Sequence, residues 1–262
     1  MTAPASGHRH RVSLFIPARP APDQGYPIVL LLDGDRAALH LRQVLAEGQS
    51  LDAVYVAIGY ADTEQHAVVE RALDYTPALE AGHRTPDPLD AEHRWNGGAA
   101  EFRQWLSAEL EPEISRRVAV DWSQSTLWGH SYGGLFVLST LLEAGSSYSR
   151  YVAADPSLWW QDAFLYRRLM DAPVVATELV LHRSRATATR SPRARTEAQR
   201  SLRESLTAAL PAEAFERVAE RWNATLIDYP EHDHGTLFEA SLDALLERGA
   251  AAEGGRYPIH DH

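Results

Sequence analysis

The stretch Thr126-Leu127-Trp128-Gly129-His130-Ser131-Tyr132-Gly133-Gly134-Leu135 decides the fold. It joins a strand candidate, Thr126–Trp128, to an apolar helix candidate, Leu135–Glu143, through a G-x-S-x-G pattern followed by a further glycine. A serine placed on so sharp a strand-to-helix turn has a strained backbone and an exposed hydroxyl, which is the setting of a nucleophile elbow. The flanking glycines suit that geometry, since side chains at Gly129 and Gly133 are expected to collide with neighbouring elements. A plainer alternative is a glycine-rich turn that happens to expose a serine.

Outward from this turn, strand candidates alternate with helical patterns. Arg11–Ile16 alternates apolar and polar residues as an edge strand does, whereas Ile28–Leu32 and Val54–Ile58 are short apolar runs suited to buried parallel strands. Tyr151–Ala154, Leu179–Leu181 and Ala224–Ile227 continue the series. Helical patterns fall at Ala99–Glu109, Ala163–Met170, Ala194–Leu210, Ala212–Arg221 and Leu237–Arg248. Strands separated by helix-length segments require right-handed crossovers, so the fold class is α/β, a mostly parallel central sheet with helices on both faces. The stretch Gly59–Asn96 is broken by Thr76-Pro77, Thr85-Pro86 and Asp87-Pro88, and an irregular stretch that long usually shapes a site. One domain over residues 11–249 is the simplest organisation, with flexible ends expected at 1–10 and 250–262.

Composition narrows the chemistry. The 262 residues are 45% hydrophobic and 23% charged, as in a globular protein. Thirty-six acidic residues against 25 basic ones give a net charge of −11, a field that repels nucleic acid and anionic membrane surfaces, so neither is expected as a partner. The apolar run Ile28–Leu32 falls far short of a membrane span, and Met1–Arg11 has no apolar stretch of signal-peptide type, which reads as a cytoplasmic protein. There is no Cys, and every basic residue is Arg. That excludes a thiolate nucleophile, thiolate metal sites, a P-loop lysine and a Schiff-base lysine. The nucleophiles left are oxygen and imidazole. No cofactor or metal is expected: His232, Asp233 and His234 lie too close in sequence to make a full metal site. Monomer and dimer are equally compatible with the sequence.

A serine hydroxyl needs a base, which in such a fold comes last in the chain, on a loop after the final strand. Glu231-His232-Asp233-His234-Gly235 lies there, and His234 is the expected base with His232 as the fallback. The oxyanion hole is expected to use the backbone N–H of Tyr132 and that of Asp35, in the loop Leu32-Asp33-Gly34-Asp35-Arg36 after the Ile28–Leu32 strand. An ordinary Asp-Gly turn is the competing reading of that loop.

The order of these blocks resembles the esterase branch of the α/β hydrolases, and within it the ferric-siderophore esterases that open enterobactin-type trilactones. Carrying the resemblance are Tyr26-Pro27, Leu31-Leu32-Asp33-Gly34, Ile58-Gly59-Tyr60, Arg71 with Asp74-Tyr75-Thr76-Pro77, Gly97-Gly98-Ala99 with Phe102, the elbow itself, Pro156-Ser157-Leu158-Trp159-Trp160, and His234-Gly235. The run Leu32–Ala37 also looks like mycolyltransferases. The resemblance implies an α/β-hydrolase fold and a serine esterase that forms an acyl-enzyme on Ser131 without a cofactor. It implies as substrate the trilactone of a ferric catecholate siderophore, in iron acquisition. A carboxylesterase acting on other small or aromatic esters is the alternative, and a siderophore-binding protein without turnover the remoter one.

One departure from the family pattern bears on the catalytic acid. The family often carries an acidic residue just after the strand at Leu179–Leu181, where this chain reads His182-Arg183-Ser184-Arg185. Either the site works as a Ser–His dyad, as some siderophore esterases are described to do, or Asp155, where the resemblance leads one to expect Ser, supplies the acid. A helix-capping or turn role before Pro156 competes for Asp155. Arg36, Arg71, Tyr75 and Trp159 are candidates to line the substrate cleft, Trp160 lying beside them; the competing readings are that Arg71 and Tyr75 pin the long loop and that Trp159 and Trp160 are core or helix-packing residues. The segment Arg183–Arg200 holds six Arg and one acidic residue, Glu197. Arg183, Arg185 and Arg190 are its candidates to meet an anionic ligand, with a solvated loop as the alternative.

Overall fold

The computed structural model describes residues 1–3, 6–62, 67–143, 148–186 and 197–254. The first elements are β1 (His10–Phe15), β2 (Tyr26–Leu31), α1 (Gly34–Ala46), β3 (Val54–Tyr60) and α2 (Val68–Asp74). A two-stranded hairpin, β4 (Thr85–Pro86) with β5 (Trp95–Asn96), precedes α3 (Ala99–Trp105), a π-helical turn (Leu106–Leu110) and α4 (Glu111–Arg117). Then follow β6 (Val120–His130), α5 (Tyr132–Leu141), β7 (Arg150–Ala154), α6 (Trp160–Asp171) and β8 (Glu178–Ser184). The last are α7 (Glu197–Thr207), α8 (Ala214–Trp222), β9 (Thr225–Tyr229) and α9 (Leu237–Gly254).

Seven of the described strands form one sheet in the order β1-β3-β2-β6-β7-β8-β9, parallel throughout except for β1, which runs antiparallel to β3 at the edge. The apolar runs that suggest buried strands are buried on both sides, and strand alternation divides them. Ile28, Leu30, Val54, Val56 and Ile58 pack with Phe102, Leu135 and Val218 on one face, while Val29, Leu31, Tyr55, Ala57 and Trp128 pack with Leu41, Val44, Phe238 and Leu242 on the other. Helix α5 is buried at all ten positions, which explains why its sequence is apolar all round.

The strand expectations hold within a few residues, apart from β6, which begins six residues earlier than Thr126. Helices α1, α2 and α4 go beyond the helical patterns read from the sequence. The N-terminus is attached where looseness is expected: the Met1 ammonium donates to the His10 carbonyl at 2.8 Å, Ala3 is buried, and His8 bonds Asp74 at 3.0 Å. At the other end α9 continues past residue 249 to Gly254, and the rest of the expected tail lies outside the described residues. Among the described residues no helix is long and apolar enough to cross a membrane.

Candidate active site

The elbow sits at the carboxyl edge of the sheet, between β6 and α5. Ser131 adopts φ 60° and ψ −116°, a conformation held by its N–H on the Ala154 carbonyl (2.9 Å) and its carbonyl on the Ser157 N–H (3.1 Å). A Cβ on Gly129 would lie 2.5 Å from the Gly133 backbone, and one on Gly134 only 3.0 Å from Pro156 Cα. Gly133 differs from expectation: a Cβ there would meet Asp33 and Leu32 at 3.5 Å, an ordinary contact. The glycines that the turn requires are therefore Gly129 and, through close packing on the β7 loop, Gly134.

Across the cleft, the loop after β9 is organised by Asp233, whose Oδ1 accepts the N–H groups of Gly235 and Thr236, both at 2.9 Å. His234 projects from this turn with Nε2 3.2 Å from Ser131 Oγ and Nδ1 3.1 Å from Asp155 Oδ2. Because the carboxylate can only accept, Nδ1 carries the proton and Nε2 faces the serine as an acceptor. Asp155 lies just past the end of β7 at φ 40°, its N–H bonded to the His182 carbonyl at 2.8 Å. Ser184, at the end of β8, donates its backbone N–H to Asp155 Oδ1 at 2.9 Å and its hydroxyl to Oδ2. Burial alone pushes the Asp155 carboxyl up, but hydrogen bonds from His234 and Ser184 outweigh it and hold it below the ordinary carboxylate range. Of the two readings of Asp155, the structure contains the hydrogen bond to His234 that the acid requires. The fallback base His232 is not at the serine. Its N–H bonds the Tyr229 carbonyl, and it lines a separate groove with Glu239 and Asp243.

Ser131 and His234 open into a cavity of about 230 Å³ bordered by Asp33, Asp35, Arg36, Tyr60, Arg71 and Phe238. Asp35 is in the first turn of α1, and its carboxylate turns away to accept the Tyr60 N–H (2.9 Å) and the Arg11 guanidinium (2.7 Å). First-turn N–H groups have no intrahelical acceptor, which suits the oxyanion role expected of this segment. Tyr132 opens α5, and its hydroxyl donates to Asp87 Oδ2 at 3.1 Å, beside a bond of 2.9 Å from Asn96 Nδ2 to the same oxygen.

The candidate substrate residues separate into two groups. Arg71 borders the cavity but forms a two-pronged pair with Asp33 at 2.8 and 2.7 Å and reaches the His130 carbonyl at 3.3 Å. Burial lowers the Arg71 pKa, and the Asp33 carboxylate more than reverses it, so the guanidinium stays charged. Arg36 also borders the cavity, paired with Glu239 at 2.6 Å and stacked over Phe238 at 4.1 Å.

The rest fall outside the cavity. Tyr75 is wholly buried, its hydroxyl accepting the Asp33 N–H at 3.1 Å, so it supports the cleft wall and does not line it. Trp159 packs 6.3 Å from the Tyr132 ring, and Trp160 is fully buried with its N–H on Asn96. Arg183 is a structural residue: it is 8% exposed, bonded to Asp228 and Glu216 at 2.7 Å each, and set over Phe215. Arg185 shares Asp228 at 3.4 Å. Neither borders the serine, because the pairing acids on α8 and β9 hold both away from it. Arg190 and most of the arginine-rich segment lie outside the described residues.

His130, Asp155 and His234 bring ligand atoms within 4.8 Å of one another, as a metal site does. The chemistry of these atoms fits a proton relay better: both His234 nitrogens and Asp155 Oδ2 already hold hydrogen-bond partners, and a metal would displace the Ser131 hydroxyl from His234. Ser157, Ser184, Asp87 and His130 are the site residues that sequence reasoning misses. Ser157 places its hydroxyl 3.3 Å from that of Ser131. It stands in one of the blocks that carry the resemblance, which is the one signal that could have marked it.

Residues 3–234 match the family described as "Putative esterase". The chain is 35% identical to the apo-salmochelin esterase of Escherichia coli over 98% of its own length and 79% of that protein. It is 30% identical to the ferri-bacillibactin esterase BesA of Bacillus subtilis over 64% of its own length and 60% of the relative. The solved structure of the enterobactin and salmochelin hydrolase IroE superposes with a TM-score of 0.66 at 30% identity, covering 92% of this chain and 89% of that one. A family match across the whole elbow-to-base span, on a sheet that supplies both residues, makes this chain a member of that esterase family, a serine hydrolase with the α/β-hydrolase fold.

Proposed function

We propose that the protein hydrolyses the ester bonds of a trilactone siderophore through an acyl-enzyme on Ser131. The observation that carries this reading is the continuous hydrogen-bonded series Ser131–His234–Asp155, opening on one cleft. His234 Nε2 takes the hydroxyl proton as Ser131 Oγ attacks the ester carbonyl carbon. Asp155 stabilises the imidazolium that results. The N–H groups of Tyr132 and Asp35 receive the charge that develops on the carbonyl oxygen. Collapse breaks the carbon–alkoxide bond, and the leaving oxygen takes the proton from His234. A water deprotonated by the same imidazole then attacks the acyl carbon, releasing the carboxylic acid and regenerating Ser131. For a cyclic trilactone the first turnover opens the ring, and later ones shorten the linear product.

The substrate class rests on what the relatives are named for: apo-salmochelin, ferri-bacillibactin, and enterobactin with salmochelin. The two arginines that border the cleft are each paired with a carboxylate, Arg71 with Asp33 and Arg36 with Glu239. A ferric tris-catecholate is strongly anionic and would compete with those acids in a protein of net charge −11. That balance favours the iron-free trilactone over the ferric form. Such hydrolysis separates the chelating arms, so that the linear products hold iron less tightly than the intact trilactone would.

The test is product analysis by mass spectrometry after incubating wild type and Ser131→Ala with an enterobactin-type trilactone, with and without iron, beside a short-chain aryl ester. Serine-dependent ring opening, faster without iron, is the expected result. Turnover of the aryl ester with the trilactone intact would leave the mechanism standing and replace the substrate. Trilactone binding without turnover of either ester would instead mark a binding protein.

A further inference from the structure

Resting on the reading of Ser131 and His234 as nucleophile and base, we infer that His130 is a positioning residue for that base, acting together with Arg36. His130 lies between Gly129 and the nucleophile, and its Nε2 is 2.7 Å from the main-chain carbonyl of His234. A carbonyl can only accept, so Nε2 carries the proton and donates it. The next carbonyl along the same loop, that of Gly235, accepts from Arg36 Nη2 at 2.8 Å. Two consecutive carbonyls of the base loop are thus held by two different elements. One bond comes from the elbow that presents Ser131, the other from the first turn of α1 that supplies the oxyanion segment. The loop's own Asp233 fixes the N–H side of the turn.

The surroundings make His130 a rigid and uncharged anchor. It is buried, its ring lies 4.5 Å from the His234 ring and 5.6 Å from Phe238, and its carbonyl receives Arg71. Burial pushes its imidazole well below the ordinary histidine value, with His234 and Arg71 acting in the same direction. His130 therefore adds no positive charge of its own beside His234 when that ring becomes an imidazolium. The purpose of the clamp is distance control. His234 Nε2 is at 3.2 Å from Ser131 Oγ, and a shift of about 1 Å in a reacting group costs on the order of 100-fold in rate.

The experiment uses the whole chain and a fluorophosphonate probe that phosphonylates the activated serine, so it needs no knowledge of the natural ester. The maximal labelling rate and the half-saturating probe concentration are measured for wild type, His130→Leu, His130→Gln, Arg36→Met and Arg36→Lys. For His130→Leu the maximal rate falls about 30-fold or more, with half-saturation changed less than about twofold. His130→Gln keeps a donor and recovers most of the rate. Arg36→Met, at a partly exposed position, loses about 3- to 10-fold, and Arg36→Lys recovers part of it. Labelling of folded His130→Leu at the wild-type rate, or a loss in His130→Gln as deep as in His130→Leu, overturns the inference. If His130→Leu does not fold, an unchanged rate in Arg36→Met overturns it. A wild type that resists the probe removes the nucleophile reading and this inference with it. Normal labelling with an intact trilactone would change only the substrate.

Discussion

Ser184 donates its backbone N–H to Asp155 Oδ1 at 2.9 Å, so the end of β8, where the resemblance leads one to expect an acid, instead holds the carboxylate at the end of β7. β7 and β8 are adjacent and parallel, with Ala154 paired to His182, which brings the two strand ends together below the base loop. Moving the carboxylate one strand over therefore keeps it within reach of His234 Nδ1. The prediction is a loss of about 100-fold or more in kcat for Asp155→Asn, equal to about 2.7 kcal/mol of transition-state stabilisation, with KM little changed. Near-wild-type turnover in this variant, beside a dead Ser131→Ala, would establish a Ser–His dyad. Ser184→Ala removes one donor to the carboxylate and should lower kcat by about 3- to 10-fold.

The three elbow glycines separate by what a methyl group would meet. Gly129→Ala forces the new carbon to 2.5 Å from the Gly133 backbone and should destabilise by about 3 kcal/mol or prevent folding. Gly133→Ala meets neighbours only at ordinary contact distance, inside a helix. It should be neutral or stabilising by up to about 1 kcal/mol. Urea denaturation of the two variants checks the contrast, and equal destabilisation would contradict it.

Much of the fold is legible because parallel strands buried on both sides leave continuous apolar runs, as at Ile28–Leu32 and Val54–Ile58. Helix α1 escapes notice because Asp33-Gly34-Asp35 reads as a turn, although Ala37, Ala38, Leu41 and Val44 already carry the helical spacing of its buried face. The first half of β6 is hidden for the opposite reason: Asp121, Ser123 and Gln124 look like a loop, and Asp121 in fact caps the local backbone by accepting the Ser123 N–H. In the site, Ser131 and His234 announce themselves through local motifs. The arginine-rich segment misleads because composition says nothing of partners 33 and 45 residues away, Glu216 and Asp228, which consume Arg183.

That pairing gives Arg183 a testable role in stability. Arg183→Ala breaks contacts with two half-exposed acids and uncovers Phe215, which should cost about 1–2 kcal/mol in urea denaturation. KM for the ester should stay within about twofold, because Arg183 is not among the residues that border the cavity. A large rise in KM with unchanged stability would restore a ligand-binding role.

His10 makes the N-terminal strand sensitive to acid. Burial lowers its pKa from the ordinary 6.5 to about 4, against the opposing pull of Asp74, while the ring is stacked on Trp105 at 4.5 Å. The unfolded chain binds a proton near pH 6.5 and the folded one only near pH 4, so this contribution is complete above 6.5 and lost as pH falls toward 4. His8 runs the other way: burial lowers its pKa, but the hydrogen bond and charge of Asp74 outweigh that and raise it, so its contribution grows in acid. Comparing variants isolates the first effect. The stability difference between pH 7 and pH 4.5 should be about 2–3 kcal/mol more favourable to the acid side in His10→Phe than in wild type. Parallel stability curves for the two proteins would disprove it.

The long irregular stretch before α3 reaches the turn at Ser131 through Tyr132. Asp87 sits fully buried in that stretch, accepting the Leu89 N–H at 2.8 Å, the Asn96 amide at 2.9 Å and the Tyr132 hydroxyl at 3.1 Å. Asn96 in turn accepts the Trp160 indole N–H at 2.8 Å, which ties the hairpin to the start of α6. Tyr132 opens α5 directly after Ser131, the proposed nucleophile, so fixing its ring fixes the backbone N–H proposed to receive the oxyanion. Tyr132→Phe removes only the bond to Asp87, leaving that carboxylate two other donors, and should cost about 1 kcal/mol of stability. The larger effect falls on catalysis, where a loosened oxyanion donor lowers kcat by about 3- to 10-fold while KM stays constant. Steady-state kinetics on an aryl ester distinguish the outcomes. A fall in stability with kcat unchanged would mean that Asp87 anchors the loop without setting the geometry of the donor.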